Sequence, residues 1–368
     1  MEKVRAFLRR KDIIFSTKRY FIDAMGAMAQ GLFCTLLVGT ILNTIGQQFH
    51  IGFLNEVIVT IGKGDGAVHY TIGGLCSAMV GPGMAVAIAG ALKAPPLVLF
   101  SLIPVGFATN YMGGAGGPLA VLFVAIVAAE VGKAVSKETK IDILVTPIVT
   151  VLGGVGFAAL IAAPVGRAAS AVGQAIMWAT ELQPFFMGII VSVVIGVALT
   201  LPISSAAICA ALGLTGLAGG AAVAGCCAQM VGFAVMSFPE NRWGGLAAQG
   251  LGTSMLQMGN IVRNPRVWIP PTLASAITGP LATCLFHLEM NGAPVSSGMG
   301  TCGLVGQIGV YTGWVYDVAA GVKTAITGMD WLGLVLISFV LPAVLTWLIA
   351  IPLRKCGWIK DGDLKLDL

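Results

Sequence analysis

Several charged and amide side chains stand at the edges of long apolar segments, where they could bind a solute or move a proton. Glu240, Asn241 and Arg242 follow a stretch of 58 residues without Asp, Glu, Lys or Arg. Charges beside such a stretch are costly enough to need a reason. A carboxylate can accept two hydroxyl hydrogens of a solute or act as a base, and an amide adds donors and an acceptor. The alternative is an interfacial ion pair that ends a helix after Pro239.

His287 and Glu289 lie at the end of another apolar segment, just before Asn291. Residues two positions apart do not share a helical face. Their side chains can therefore converge only if the helix unwinds before Asn291. The alternative is an interfacial histidine beside a solvated glutamate.

Three loops rich in Gly, Ser and Asn interrupt the apolar segments. Irregular backbone inside a membrane is tolerated only where protein or a water-filled cavity surrounds it, so these loops indicate a cavity for a polyhydroxylated or amide-bearing solute. The alternative is that their glycines only permit close helix packing. With the charged groups, the loops give these candidate solute-binding residues: Asn110, Gly113, Gly114, Ser204, Ser205, Glu240, Asn241, Arg242, His287, Glu289, Asn291, Ser296 and Ser297.

Motifs of soluble enzymes are missing from the sequence. It has no phosphate-binding loop, dinucleotide fingerprint, metal-ligand cluster or Ser-His-Asp arrangement. We therefore expect no catalytic residue, no metal and no cofactor. The eight cysteines lie mostly in apolar segments and are expected to be free thiols.

Composition excludes a soluble globule. Of the 368 residues, 57% are hydrophobic and 10% are charged, and the mean hydropathy is +0.92. The 50 glycines fit a helical bundle with close backbone contacts, whereas a membrane β-barrel would have short alternating segments. We predict an all-α polytopic membrane protein with about ten transmembrane helices and re-entrant Gly-rich loops.

The charge distribution predicts the orientation. Basic residues precede the first apolar run, so residues 1–20 are expected to be a cytoplasmic segment, 21–353 the membrane domain and 354–368 a cytoplasmic tail. The orientation of the chain in the membrane already explains these charges, so we expect no nucleic-acid binding. The sequence has no signal-peptide cleavage site after the first apolar run, so we expect that run to be retained as a helix. Trp243 to Ile261 is expected to cross the membrane, which would place Glu240 at the non-cytoplasmic end of a helix.

Two motifs carry a resemblance to a known family. They are Asn264-Pro-Arg-Val-Trp-Ile-Pro-Pro271, followed by a small-residue helix, and Leu201-Pro-Ile-Ser-Ser-Ala-Ala-Ile208. Together they resemble the membrane-embedded EIIC component of bacterial phosphotransferase-system sugar transporters, in the divergent branch that includes perfringolysin-regulator-like proteins. The resemblance extends over nearly the whole chain. It implies about ten helices, a homodimer, elevator-like movement of a substrate domain, and a phosphorylated EIIB partner that phosphorylates the bound sugar.

The chain also departs from that family. The Gly-Ile-Thr-Glu-Pro motif of the glucose-type branch is missing, so the role of its glutamate does not transfer to Glu240 or Glu289. After Ile351 only a short tail follows, so we expect EIIA and EIIB to be separate proteins.

The first hypothesis is therefore an inner-membrane EIIC-type permease, with both termini cytoplasmic, that translocates a sugar or sugar derivative. Protein-Nπ-phosphohistidine–sugar phosphotransferase is the one enzyme class left open. One alternative is an ion-coupled secondary transporter with the same architecture, and another is a membrane sensor that regulates gene expression through a partner.

Overall fold

The protein is nearly all-α, as its composition predicts. The computed structural model describes residues 2–180 and 182–366, and 79% of the chain is helical. The exception is a small antiparallel hairpin, β1 (Val59–Ile61) and β2 (Val68–Tyr70), in which Val59 lies opposite Tyr70.

The chain divides into two compact units, Met1–Arg167 (unit 1) and Ala168–Leu368 (unit 2). The boundary falls inside one helix, α9 (Asp142–Thr180). Residues after Arg167 therefore continue this helix as far as Thr180.

The helices of unit 1 that precede α9 are α1 (Glu2–Arg10), α2 (Ala24–Leu32), α3 (Val38–Gln48), α4 (Gly52–Asn55), α5 (Ile72–Ala78), α6 (Val80–Ala91), α7 (Pro96–Gly113) and α8 (Gly117–Val135). Those of unit 2 are α10 (Pro184–Thr200), α11 (Ser205–Ala211), α12 (Gly216–Met236), α13 (Phe238–Ala247), α14 (Met258–Arg263), α15 (Ile269–Pro280), α16 (Val305–Ala319), α17 (Gly328–Val335) and α18 (Leu341–Lys355). Short 3₁₀ and π turns join several of them, notably Ala248–Gly252, Ser254–Gln257, Leu281–Leu285, Pro294–Gly298 and Cys302–Leu304.

Five helical segments in the described part of the chain are long and apolar enough to cross a membrane, which makes the protein multi-pass. A bent pair, α5 with α6, would be a sixth, with a bend of 52°. The five are Lys18–Gln47, Pro96–Val135, Asp142–Thr180, Gly216–Met236 and Gly328–Lys355.

Close glycine contacts hold unit 1 together. Helix α6 packs against α2, α7 and α8. Gly81 of α6 and Gly106 of α7 face each other so closely that a Cβ on either would clash with the other's carbonyl oxygen. Small residues at a helix crossing let the two backbones approach closely. These two glycines therefore have the packing role that was the alternative to lining a cavity.

Helix α12 forms the centre of unit 2. Nearly all of its residues are buried, because α10, α15 and α18 pack around it. A helix that is apolar on every side is stable only in such an enclosed position. The uncharged stretch that includes α12 is therefore the core of this unit.

Residues 238–263 leave one end of α12 and return to that same end. Asn241 and Gln257 both donate to the carbonyl oxygen of Leu364, and Asn260 donates to that of Lys365. Helices α13 and α14, of 10 and 6 residues, are also too short to cross a bilayer. The predicted crossing from Trp243 to Ile261 is therefore wrong, because glycines and buried amides break the helix there.

Candidate functional site

The predicted site residues of unit 2 divide between the two ends of α12. At its first residue, the Gly216 backbone N–H donates to Asn291 Oδ1 over 3.1 Å, and Gly216 pairs with Met290. Glu240 and Asn241 follow its last turn. A helix of 21 residues is about 30 Å long, so one small solute cannot contact both groups at once.

At the far end of α12, Glu240 and Asn241 bind the C-terminal part of the chain. Glu240 Oε1 lies 3.3 Å from Nη2 of Arg354, and its side chain is 9% exposed. Asn241 Nδ2 donates to the Leu364 carbonyl oxygen, and the Leu366 N–H donates to Asn241 Oδ1, both over 2.8 Å. Glu240 thus has the partner that an ion pair requires. Arg242 is exposed and has a left-handed backbone, with φ at 51°.

At the near end of α12, Asn291 joins two carboxylates. Its Nδ2 donates to Glu289 Oε2 over 3.1 Å and to Asp317 Oδ2 over 2.9 Å. The helical backbone ends at Leu285, so Glu289 reaches Asn291 through the unwinding that the sequence required. His287 is exposed and does not belong to this hydrogen-bonded group. Asp317, on α16, had no signal in the sequence, because only the tertiary fold brings it to Asn291.

The two serine-containing loops meet each other. Ser205 Oγ donates to the Gly298 carbonyl oxygen over 2.7 Å, and Ser297 Oγ donates to that of Leu214 over 2.5 Å. Ser204 caps α11 by accepting from the Ala207 N–H, and Ser296 is buried beside Gly309. The fold therefore brings the two loops together, and Ser205 and Ser297 both donate their hydroxyl protons to the backbone.

The loop around Asn110 belongs to unit 1. Asn110 lies in the last turn of α7, and the turn that connects α7 to α8 follows at Gly114, where φ is 51°. Gly117 packs against the backbone and side chain of Asn110, so a Cβ there would clash. Gly113 is buried, whereas Gly114 is exposed.

A polar cluster that the sequence analysis missed surrounds Gln229 of α12. Its Oε1 accepts from Trp268 Nε1 over 2.9 Å and from Thr200 Oγ1 over 3.3 Å. Its Nε2 donates to Thr272 Oγ1 over 3.3 Å, and Thr200 Oγ1 lies 2.8 Å from Ser254 Oγ. A signal existed, because Gln229 is the one amide side chain in α12, and a lone polar group in an apolar helix has a partner or a function.

Two irregular segments approach the middle of α12 from its opposite ends. Residues 286–304 enter from the Gly216 end. Further along this segment, Gly300 has φ at 53° and packs so closely against Cys226, in the middle of α12, that a Cβ would clash. Residues 238–263 enter from the other end. Their tips, Ala248–Gly252 and Cys302–Leu304, contact each other. The Gln229 cluster beside these tips consists of neutral hydroxyl and amide groups, and Gln229, Thr200 and Ser254 are fully buried.

Residues 22–366 match the family described as Phosphotransferase system, EIIC. The chain belongs to this family. No curated protein and no solved structure matched it.

Membership fixes the general role of this EIIC protein. It is a membrane component of a phosphotransferase-system permease, a class that in general takes a sugar and works with EIIB and EIIA partners. The match also confirms the resemblance inferred from the two motifs, and both motifs lie in unit 2.

Within the described part of this EIIC protein, no three His, Cys, Asp or Glu residues are grouped so that they could hold a metal ion. The eight cysteines are free, and Cys209, Cys226, Cys227 and Cys302 are buried.

Proposed function

We propose that the protein translocates a sugar or sugar derivative across a bacterial inner membrane, and that the sugar binds where the two irregular segments meet beside α12. The observation that carries this proposal is the contact between their tips, Ala248–Gly252 and Cys302–Leu304. Broken backbone beside a central helix is a recurrent design of transporter sites, because the freed peptide groups can bind solute. Residues 238–263 and 286–304 are then re-entrant segments, within a total of about ten crossings.

Residues near the tips are the proposed first contacts of the sugar. Gln229 and Ser254 supply an amide and a hydroxyl, and Ser296 and Ser297 lie on the second segment. Sugars are bound by such planar amides and hydroxyls, which match their paired hydroxyl groups. The other predicted residues serve the pathway at its ends in this proposal: Asn110, Gly113, Gly114, Ser204, Ser205, Glu240, Asn241, Arg242, His287, Glu289 and Asn291.

Unit 2 is the proposed substrate domain, and it moves in an elevator-like manner. Both irregular segments and the Gln229 cluster belong to it, so a sugar bound there would travel with this unit. Unit 1 would supply the scaffold of a homodimer.

Both termini are proposed to be cytoplasmic, with residues 21–353 forming the membrane domain. Asn241 binds Leu364 and Leu366 of the tail, so Glu240, Asn241 and Arg242 also belong to the cytoplasmic end. This reverses their predicted side of the membrane. They would lie where separate EIIB and EIIA proteins deliver phosphate to the sugar.

Ion-coupled transport is a second candidate. Glu289 and Asp317 both accept from the amide of Asn291. Two carboxylates beside one amide could hold a proton or a cation between them.

The two candidates are separated by uptake into liposomes containing the purified protein. We expect radiolabelled sugar to enter and appear as sugar phosphate only when phosphorylated EIIB is enclosed, with no accumulation from an imposed proton or sodium gradient. Unmodified sugar that accumulates with the gradient alone would favour ion coupling. Lack of any binding or uptake across a panel of hexoses, pentoses and polyols would contradict both.

A further inference from the structure

A basic cavity lies at one end of the helices of unit 1. Its volume is about 400 Å³. Five cationic side chains line it: Arg10, Lys11, Lys93, Lys133 and Lys137. Two carboxylates, Asp12 and Glu138, line it as well.

The inner wall of the cavity is built around a buried lysine. The Lys133 side chain is 1% exposed, and its Nζ donates to the carbonyl oxygens of Asp12 over 2.7 Å and Leu92 over 3.0 Å. It also lies 3.1 Å from Glu130 Oε2. Three acceptors therefore hold Lys133 inside the protein.

Both carboxylates of the cavity are neutralised by other residues of the protein. Arg19 donates to Asp12 Oδ2 over 2.6 Å, and this bond holds the pKa of Asp12 below its ordinary value. The bond from Lys11 to Glu138 lowers the pKa of that carboxyl, and Arg10 pairs with it over 2.6 Å. Both carboxylates are therefore ionised at neutral pH and already paired.

Two lysines of the rim remain available. Among the described residues, the ammonium groups of Lys93 and Lys137 have neither a hydrogen-bond nor an ion-pair partner, and both residues are exposed. With Arg19 and Glu130 included, six cations face three carboxylates. The nearby ends of α1, α6 and α8 add about half a negative charge each, which leaves the cavity positive.

The backbone at both lysines is left-handed. Lys93 has φ at 55° and Lys137 at 61°, in the turns that follow α6 and α8. The N–H of Ala94 donates to the Ala89 carbonyl oxygen and so closes the end of α6. In helix endings of this kind the left-handed residue, here Lys93, is usually glycine. A lysine at such a position strains the backbone, and strained residues cluster at functional sites.

The cavity lies at the ends of candidate membrane spans, where lipid headgroups are found. Asp12 precedes the span Lys18–Gln47 along the chain. Pro95 and Ser136 lie directly before and after the segment Pro96–Val135. Phe15, beside this region, is 76% exposed, as expected of a side chain in contact with lipid.

A chain of hydrogen bonds links an apolar groove of unit 1 to the buried Lys133 of the cavity. The groove has a volume of about 540 Å³ and is lined by Tyr20, Phe21, Leu122 and Phe157, among others. The Tyr20 hydroxyl donates to Glu130 Oε1 over 3.1 Å, and Glu130 pairs with Lys133 of the cavity. A polar cavity joined in this way to an apolar groove suits a molecule with an anionic head and hydrocarbon chains.

We propose that this cavity binds the phosphate of an anionic phospholipid, whose acyl chains lie along the groove. Lys93 and Lys137 contact the phosphate, while Lys133 and its partners fix the wall behind it. This site is separate from sugar binding and does not depend on it.

The test is thermal unfolding of the full-length protein in detergent, titrated with phosphatidylglycerol, with phosphatidylcholine of the same chains, or with inorganic phosphate. Of these three titrants, we expect only phosphatidylglycerol to raise Tm to a plateau. In the Lys93→Gly/Lys137→Gly double variant its apparent affinity should fall about tenfold or more, since each lysine near a lipid surface contributes about a fivefold factor. The single variants should each lose a few-fold.

The glycine variants separate ligand binding from folding. Glycine adopts positive φ without steric cost, so the double variant without lipid should unfold at the same temperature as the wild type or higher. Lys63→Gly, which removes an exposed lysine of the β1–β2 turn, is the charge control and should keep the full lipid effect. Equal affinity in the double variant and wild type, equal loss in Lys63→Gly, or an equal effect of phosphatidylcholine would overturn the proposal. An equal effect of inorganic phosphate would identify a site for free phosphate and reject the lipid.

Discussion

At the residue scale, Gln229 is the polar group on which the middle of unit 2 depends. It makes hydrogen bonds with two other segments: with Trp268 and Thr272 at the start of α15, and with Thr200 at the end of α10. Its Oε1 accepts two hydrogen bonds, and its Nε2 donates to Thr272 and to Ser275. A buried amide with so many partners fixes the packing of the helices that contact it.

We expect Gln229→Met to weaken sugar binding at least tenfold and to lower stability by about 1–3 kcal/mol. Methionine has a similar volume, but it leaves the Trp268 N–H without its acceptor. Sugar titration and thermal unfolding in detergent measure the two effects.

Thr346→Val is the matched control for Gln229→Met. Thr346 is also fully buried in unit 2, and its hydroxyl has no hydrogen-bond partner among the described residues. Its replacement should therefore leave stability unchanged or raise it, and sugar binding should stay as in the wild type. Wild-type sugar affinity in Gln229→Met would reject the site that we propose.

At the element scale, the two irregular segments cover the middle of α12. Gly300 lets the second segment pass directly over Cys226, since it has both a left-handed backbone and no space for a Cβ. The same helix is enclosed elsewhere by α10, α15 and α18.

We expect Gly300→Ala to abolish sugar binding, because a Cβ would push the tip of the segment away from α12. Gly244→Ala is the matched control, since Gly244 lies in α13 with open space around its Cα, and this variant should bind sugar as the wild type does. Binding that survives in Gly300→Ala, in a protein that still unfolds cooperatively, would show that the tip is not part of the site.

At the scale of the whole molecule, the C-terminal tail is bound at the end of α12 that finishes at Met236. Residues 358–366 bind Asn241, Gln257, Asn260 and Asn264, so this end of α12 lies on the same side as the tail. Arg354 joins them through Glu240.

Exposed Cys356 offers a test of that orientation in the native chain. We expect a charged, membrane-impermeant thiol reagent to modify Cys356 in inside-out vesicles and not in right-side-out vesicles. Cys356→Ser is the control that identifies the modified residue by mass spectrometry. Modification from the outer side would place the tail, and Glu240 with it, outside the cell.

Local physics explains what the sequence determined. Apolar runs longer than a bilayer crossing specify a helical membrane protein, because backbone groups in hydrocarbon must be satisfied within each segment. Glycine and serine clusters correctly marked the broken backbone at 201–205 and 291–297, since their conformational preferences act over a few residues. The two family motifs are likewise contiguous and were read directly.

Only the tertiary structure decided which polar residues meet and on which end of a helix. Glu240 pairs with Arg354, Asn291 binds Asp317, and Lys133 is buried against Asp12, although each partner lies far away along the chain. The sequence around a charged residue beside an apolar run looks the same whether that residue ends a membrane-crossing helix or binds the C-terminal tail. Trp243 to Ile261 was therefore predicted to cross the membrane, and only the contacts of residues 238–263 with the tail place both ends of that segment on one side.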